Sequence, residues 1–133
     1  MNTNTKATIP AINQPWPEQG GIYVGARLID GALHHIVTSD AEHEIDEATA
    51  DSAESAEFGE INGHSDWHCG DQEDVMLAFI NARERFKKTY YWTRTKRHGW
   101  TWAVDFEDGR TDNYHRRSEF RVRPFRSFKL SDD

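Results

Sequence analysis

Residues 90–128, YYWTRTKRHGWTWAVDFEDGRTDNYHRRSEFRVRPFRSF, decide the fold class of this chain. Three runs within it, YYWTRT, TWAVDF and FRVRPF, are rich in aromatic and β-branched residues, which favour strands over helices. The intervening segment EDGRTDN contains Asp108-Gly109, a dipeptide typical of tight hairpin turns because both residues accept a positive φ. The C-terminal third therefore predicts several short antiparallel strands.

The N-terminal part predicts a second hairpin, preceded by an extended arm. The stretch 20–39, GGIYVGARLIDGALHHIVTS, places apolar residues on both sides of the turn dipeptide Asp30-Gly31. Residues 1–19 contain three prolines, which exclude a helix there. We therefore expect an extended arm over residues 1–19 and a single domain over residues 20–133, in keeping with a length of 133 residues.

Two helices are predicted between the first hairpin and the C-terminal strands. The first covers residues 39–60, SDAEHEIDEATADSAESAEFGE, in which small and apolar residues recur at helical spacing. The second begins at Asp71, a candidate N-cap with Asp74 three residues later, and its apolar stripe includes Val75 and Phe79. A hairpin, two helices and a group of strands form an α+β order rather than an alternating βαβ order.

Several motifs resemble those of a known domain. They are Tyr91-Trp92-Thr93, Trp102-Ala103-Val104, F-x-x-G at 106–109, R-V-R-P-F-R at 121–126 and, upstream, G-x-x-D-W at 63–67. This pattern resembles the domain at the C-terminus of a bacterial collagen-like protein. That domain also occurs in many small phage proteins and belongs to the C-type-lectin-like superfamily, together with formylglycine-generating enzymes. The resemblance covers residues 9–128, and it departs from the family pattern where His68-Cys69-Gly70-Asp71 replaces the usual R-L-P-[ST].

The resemblance implies a C-type-lectin-like fold of the α+β class. Two helices would flank a small twisted antiparallel sheet, with the N- and C-termini close together. The resemblance implies no particular function, because this superfamily is a scaffold for binding loops and a fold by itself assigns no activity.

Few residues of the chain indicate catalysis. An enzyme of the formylglycine-generating type would need a pair of cysteines or a copper site built on thiolates, and Cys69 is the single cysteine. The sequence holds no nucleophile elbow, phosphate-binding loop or H-E-x-x-H motif, and it lacks the paired calcium-binding motifs of true lectins. We therefore predict a non-enzymatic protein with no catalytic residues and no cofactor.

The hexapeptide HSDWHC holds four residues of types that bind zinc, namely His64, Asp66, His68 and Cys69. Their spacing matches no recognised zinc pattern, and no second pair of ligands is evident. The other interpretation is a turn in which Asp66 bonds backbone amides and Trp67 fills the core. The turn is preferred, and metal binding stays open as the alternative.

The charge of the chain is unevenly distributed. The net charge is −7, but residues 1–82 hold 2 basic and 15 acidic side chains, whereas residues 83–133 hold 14 basic and 8 acidic ones. Residues 39–60 alone contain nine carboxylates and no lysine or arginine. Either the two halves neutralise each other or they present separate acidic and basic faces.

On the predicted helix these carboxylates form one stripe, because they recur at steps of three and four residues. Like charges at this spacing destabilise a helix by a few tenths of a kcal/mol per pair, so either the basic half of the same chain or a basic partner is expected to offset them. One carboxylate for about every 5.4 Å turn loosely imitates a phosphate backbone. The candidate partner-binding residues are Asp40, Glu44, Glu47, Asp51, Glu54 and Glu57.

We therefore predict a phage-type protein of the host cytoplasm that inhibits a host defence complex in the manner of an anti-CRISPR protein. Its acidic helix would occupy a basic groove that normally holds nucleic acid. Two alternatives stay open: a merely solvated helix face, and a virion or tail-fibre module whose aromatic C-terminal loops bind a receptor or glycan. No apolar run reaches the roughly 18 residues of a membrane span, so we predict no membrane partner, and the oligomeric state stays open.

Direct nucleic-acid binding is weighed separately, because basic and aromatic residues are interleaved in the C-terminal part. The interleaved residues are Arg94, Lys96, Arg97, Arg116 and Arg117 with Tyr90, Trp92, Trp100 and Tyr114. A structural interpretation is preferred, in which the arginines of RVRPFRSF at 121–128 pair with Asp105, Glu107 or the acidic helix and tryptophans at strand spacing lie in the core. We therefore predict no direct contact with nucleic acid.

Overall fold

The computed structural model describes residues 8–130. Its elements, in chain order, are β1 (Pro15–Trp16), β2 (Gly21–Ile29), β3 (Ala32–Thr38), β4 (Ile45–Ala48), α1 (Ala50–Glu54), β5 (His68–Cys69), α2 (Gln72–Ala82), β6 (Tyr90–Arg97), β7 (Trp100–Asp105), β8 (Thr111–Tyr114), β9 (Phe120–Val122) and β10 (Pro124–Phe128). Short 3₁₀ turns occupy Pro17–Gln19, Ala41–His43 and Arg83–Arg85.

The strands form two five-stranded sheets. The first sheet has the order β1-β2-β3-β10-β5, and the second has the order β4-β9-β6-β7-β8. Neighbouring strands pair antiparallel, except that β6 and β9 are parallel. The chain crosses between the sheets four times, at the connections β3–β4, β4–β5, β5–β6 and β9–β10. The first and the last of these connections lie side by side, because Thr38 Oγ1 at the end of β3 donates a hydrogen bond to the carbonyl of Pro124 at the start of β10, at 2.9 Å.

The predicted α+β fold, with two helices flanking a small sheet, is wrong. Within residues 8–130 the protein is mostly β, and α2 with the 3₁₀ turn that follows it is the one substantial helix. In place of the first predicted helix, residues 41–54 form a 3₁₀ turn, β4 and α1, which has only five residues. The expected closeness of the two termini concerns residues 1–7 and 131–133, which lie outside the described residues.

Two physical effects explain why the acidic run does not form a long helix. Its carboxylates repel one another at helical spacing with no lysine between them, whereas Ile45 and Ala48 gain strand partners in β9. Thr49 then begins α1 as its N-cap, since its side chain accepts a hydrogen bond from the N–H of Ser52.

Two other local predictions are confirmed, and a third is confirmed in part. β2 and β3 form the predicted hairpin around Asp30 and Gly31, whose φ angles of 51° and 82° suit a two-residue turn with both positions left-handed. Asp71 caps α2, and its capping box with Asp74 is complete. The aromatic runs YYWTRT and TWAVDF form β6 and β7, as predicted. The run FRVRPF is divided at Arg123 into β9 and β10, which belong to different sheets, and β8 begins within the segment EDGRTDN that predicted only a turn.

The core consists of three apolar clusters. The first cluster joins α2 to both sheets, and the second surrounds Trp92, whose indole N–H donates to the carbonyl of Ala48 at 2.7 Å. The third contains Trp16 and Trp67. These three tryptophans are buried and fix the scaffold rather than the surface. Members of the first cluster include Val24, Ile36, Val75, Phe79, Tyr91 and Val104.

Candidate functional site

Glu44, one of the predicted partner-binding residues, lies at the junction of the two sheets. Arg123 Nε donates to Glu44 Oε2 at 2.6 Å, and Arg121 Nη1 lies 3.1 Å from Glu44 Oε1. The Tyr91 hydroxyl donates to the same Oε2 atom at 2.7 Å. The side chain of Glu44 is only 2 % exposed, so this carboxylate supports the scaffold and is not open to a partner.

Each guanidinium nitrogen of Arg123 donates a hydrogen bond. Besides Glu44, its guanidinium donates to the backbone carbonyls of Ser39 at 2.8 Å and Arg85 at 2.7 Å, and it lies 3.9 Å from the centre of the Phe86 ring. Burial, together with the hydrogen bond to Glu44, raises the pKa of Tyr91 to about 12, which keeps that hydroxyl a donor near neutral pH. A buried charge pair with its remaining donors satisfied is the arrangement that a protein interior tolerates.

The other predicted site residues are exposed, but they do not all lie on one helix. Asp40 precedes a 3₁₀ turn, Glu47 lies on β4, Asp51 and Glu54 lie on α1, and Glu57 follows α1. The predicted single helical stripe is therefore wrong, and with it the regular spacing that resembled a phosphate backbone. What the segment presents is an irregular anionic surface.

The basic half of the chain neutralises part of this surface. Arg121 pairs with Asp46 at 2.8 Å, and Lys96 pairs with Glu54 at 2.5 Å. Within residues 8–130, no ion pair involves the other exposed carboxylates of this segment apart from Glu42, which lies beside His43. We name the remaining ones the acidic surface: Asp40, Glu47, Asp51, Glu57 and Glu60.

The side chains of the HSDWHC segment contact other parts of the chain and hold the fold together. Trp67 fills the core as predicted, and its indole N–H donates to the carbonyl of Ile61 at 3.1 Å. Asp66 accepts a hydrogen bond from Arg126 Nε at 2.6 Å, a partner that the sequence did not reveal. Burial acts to raise the pKa of Asp66, but the hydrogen bond and charge of Arg126 lower it below its ordinary value.

The four zinc-type residues of this segment have separate partners. His64 Nε2 lies 2.9 Å from the carbonyl of Glu18, and His68 Nδ1 lies 2.8 Å from the carbonyl of Cys69. Burial raises the pKa of the Cys69 thiol to about 12, so it is protonated at neutral pH. In the part of the chain that the structure describes, no three His, Cys, Asp or Glu side chains gather in a group that could hold a metal ion.

A second surface forms where the β6–β7 turn meets the loop after β8. Trp100 is 45 % exposed, and it contacts the ring of His115 edge to face with 6.1 Å between the ring centres. A cleft of about 220 Å³ opens here and is lined by Gly99, Trp100, His115 and Arg116. We call it the Trp100 cleft.

The basic residues near this cleft fall into two groups. Arg94 pairs with Asp71 at 2.7 Å and Lys96 pairs with Glu54, as expected of arginines and lysines that stabilise the chain itself. Arg97, Arg116 and Arg117 are exposed and have no ion pair among residues 8–130. The sequence expectation of internal pairing concerned Arg121, Arg123 and Arg126. Arg121 and Arg123 do pair with the acidic segment, at Glu44 and Asp46, whereas Arg126 pairs with Asp66.

Sequence reasoning did not single out His115. The available signal was its position directly after a strand, at the start of the run His115-Arg116-Arg117. Only the pairing of β7 with β8, which sets Thr101 opposite Tyr114, brings His115 next to Trp100.

Comparisons with known proteins found no family model and no curated protein that matches this chain. The resemblance to the C-type-lectin-like superfamily therefore stays an expectation from its motifs. Among the described residues, no helix is long and apolar enough to cross a membrane.

Proposed function

We propose that this protein is a non-enzymatic binding module that recognises a basic protein surface through its acidic surface. The observation that carries the proposal is the division of the acidic segment. Glu44 is buried in an ion pair with Arg123 between the two sheets. The residues of the acidic surface are exposed and have no ion pair among residues 8–130, namely Asp40, Glu47, Asp51, Glu57 and Glu60. Unneutralised charge of one sign accelerates encounter with a surface of the other sign.

The class of partner follows from the sign of this surface. A host defence complex with a nucleic-acid groove presents clustered arginines and lysines, and an anionic protein competes for them with phosphates. The preferred role is inhibition of such a complex in the host cytoplasm, in the manner of an anti-CRISPR protein. The irregular spacing of the carboxylates supports charge competition rather than close imitation of a phosphate backbone.

The test is capture of a partner from host lysate with the wild-type protein and with a charge-reversed variant. The variant carries Glu47→Lys, Asp51→Lys and Glu57→Lys, and it omits Glu44 because that residue holds the fold. A matched control carries Glu18→Lys, Glu73→Lys and Glu107→Lys, which reverse the same number of exposed carboxylates elsewhere.

The proposal expects a nucleic-acid-binding partner that is captured by the wild type and the control, lost with the charge-reversed variant, and displaced by added DNA or RNA. Capture of the same partner by the charge-reversed variant at wild-type yield would contradict the role of the acidic surface.

A second candidate function is a virion module that binds a receptor or glycan, and the exposed indole in the Trp100 cleft favours it. Mass spectrometry of purified virions separates the two candidates. A virion module must be present there in stoichiometric amounts, whereas an intracellular inhibitor is not required there.

A further inference from the structure

The Trp100 cleft combines an exposed indole, that of Trp100, with a cationic side chain, that of Arg116. Trp100 has a single ring contact among residues 8–130, to His115, and much of its indole stays exposed. The other tryptophan that the sequence grouped with it, Trp92, is buried in the core. An exposed tryptophan beside arginines is the arrangement on which a nucleobase stacks, because every base has a π-face.

His115 lines the cleft, and a hydrogen bond to the backbone determines which of its ring nitrogens is a donor. Its Nδ1 atom accepts a hydrogen bond from the backbone N–H of Arg117 at 3.1 Å. In the neutral imidazole one ring nitrogen accepts and the other carries the proton, so the proton lies on Nε2. The loop is held further because the carbonyl of Arg116 accepts a hydrogen bond from the N–H of Ala50 at 3.2 Å.

Charge around the cleft favours an anionic ligand. Arg116 lines it, and Arg97 and Arg117 flank it in sequence without an ion pair in the described range. Two nearby acids act against this charge: Glu54 pairs with Lys96, and Asp51 lies on the same short helix. Because Lys96 offsets Glu54, the charges of Arg97, Arg116 and Arg117 exceed those of Asp51 and of Glu119, which lies two residues after Arg117. A neutral sugar would leave these guanidiniums without partners.

The size of the cleft limits what it holds. Its volume of about 220 Å³ is below the roughly 300 Å³ at which pockets begin to enclose a drug-sized ligand. It therefore suits one ring system with an adjoining charged group, rather than an extended substrate.

We propose that the Trp100 cleft binds a nucleobase stacked on Trp100, with the adjoining phosphate held by the Arg116 guanidinium and His115 Nε2. The inference goes beyond the proposed function and makes no use of the acidic surface. It replaces the expectation that this chain has no direct contact with nucleic acid, because Trp100 is exposed and Arg97, Arg116 and Arg117 have no ion pair among residues 8–130. A free nucleotide and a single strand both carry this chemistry.

The experiment measures fluorescence anisotropy of a fluorescein-labelled oligo(dT) of roughly 12 nucleotides, at about 50 mM and about 200 mM NaCl. Trp100→Ala is expected to weaken binding roughly 5- to 150-fold, and Trp100→Phe to retain most of it. Arg116→Ala is expected to weaken binding and to reduce the slope of log affinity against log salt by about 0.7. Lys88→Ala, which removes an exposed remote cation, serves as the charge control and is expected to bind like the wild type.

Thermal unfolding of each variant verifies that it folds, and Arg116→Ala carries the test if Trp100→Ala does not fold. Titration with thymidine monophosphate, monitored by the NMR resonance of the Trp100 indole N–H, distinguishes a free nucleotide from a single strand as the ligand. Perturbation by the mononucleotide assigns a free nucleotide, and perturbation by the oligonucleotide alone assigns a strand. The inference is overturned if the wild type does not bind the oligonucleotide at about 100 μM protein, or if the wild type and Trp100→Ala bind it equally. It is also overturned if Lys88→Ala loses as much affinity as Arg116→Ala. Binding to a glycan array that depends on Trp100, without any nucleotide binding, would overturn it as well.

Discussion

Glu44 and Arg123 form a buried ion pair at the place where the chain passes between the two sheets. The distance between Glu44 Oε2 and Arg123 Nε is 2.6 Å, and each side chain is 2 % exposed. Arg123 separates β9 in the second sheet from β10 in the first, and Glu44 precedes β4, which pairs with β9. The pair therefore joins the β3–β4 and β9–β10 connections. It also separates Glu44, a structural residue, from the exposed carboxylates of the acidic segment.

The turn before β8 depends on a glycine at position 109. Gly109 has a φ of 83°, and a Cβ atom there would lie 2.5 Å from Cε2 of the buried Phe79. Gly109→Ala therefore combines a left-handed backbone cost of roughly 1–2 kcal/mol with an overpacking cost of roughly 1–3 kcal/mol. Urea unfolding should show a loss of free energy of unfolding of about 2–5 kcal/mol.

Gly31→Ala is the matched control for this prediction. Gly31 has nearly the same φ, 82°, but a Cβ atom there would meet nothing within 4 Å, so only the backbone cost of roughly 1–2 kcal/mol applies. Equal losses in the two variants would contradict the close packing of Phe79 against the turn.

Cys69 should be unreactive in the folded protein. It is buried at the edge strand β5, its Sγ atom lies 3.5 Å from the carbonyl of Trp92, and burial raises its pKa to about 12. Because the thiolate is the reactive form, a thiol-specific colorimetric reagent should modify Cys69 only after unfolding in guanidinium chloride. Rapid stoichiometric reaction of the native protein near neutral pH would show that the site is open.

Asp71 should make the protein less stable in acid. Its carboxylate lies 2.7 Å from Arg94 Nε and 2.9 Å from Arg27 Nη2. Burial acts to raise its pKa, but the hydrogen bond and charge of Arg94, with those of Arg27, lower it below the ordinary 3.8. A carboxyl with a lower pKa in the folded state contributes stability above its unfolded pKa, and that contribution is lost as the pH falls through the folded pKa.

Asp71→Asn isolates this effect, because asparagine is also a good N-cap and leaves the start of α2 capped. The free energy of unfolding, measured in urea between about pH 6 and about pH 2.5, should fall less steeply below about pH 4 in Asp71→Asn than in the wild type. Asp40→Asn, at an exposed carboxylate with no ion pair among residues 8–130, is the control substitution and should change the free energy of unfolding at neutral pH by no more than about 0.5 kcal/mol. Identical pH dependences for Asp71→Asn and the wild type would rule out the stabilising role of Asp71.

Local chemistry made part of this fold predictable. Asp30-Gly31 determines a hairpin turn, and Asp71 with Asp74 determines the beginning of α2, because these signals act over two to four residues. The aromatic runs likewise identified the C-terminal strands. None of these signals depends on a distant part of the chain, which is why they can be read directly.

The acidic segment was not predictable, because distant residues decide its conformation. Helical spacing of its small residues indicated a helix, but Arg121 and Arg123 lie 77 and 79 residues from the Glu44 that they bind. The pairing of β4 with β9 follows from that contact and has no local signal. The same holds for the Trp100 cleft, since interleaved tryptophan and arginine residues fit a core and a surface equally well until strand pairing assigns each side chain its face.

The most direct test of this account compares Glu44→Gln with Glu47→Gln in urea unfolding. Removing the charge of Glu44 leaves Arg123 buried without its counter-ion, so the free energy of unfolding should fall by roughly 3–5 kcal/mol. Glu47 is exposed and unpaired among residues 8–130, so its substitution should change the value by no more than about 0.5 kcal/mol. A loss in Glu44→Gln as small as that in Glu47→Gln would show that Glu44 belongs to the surface after all, and that the acidic segment is not divided between scaffold and binding surface.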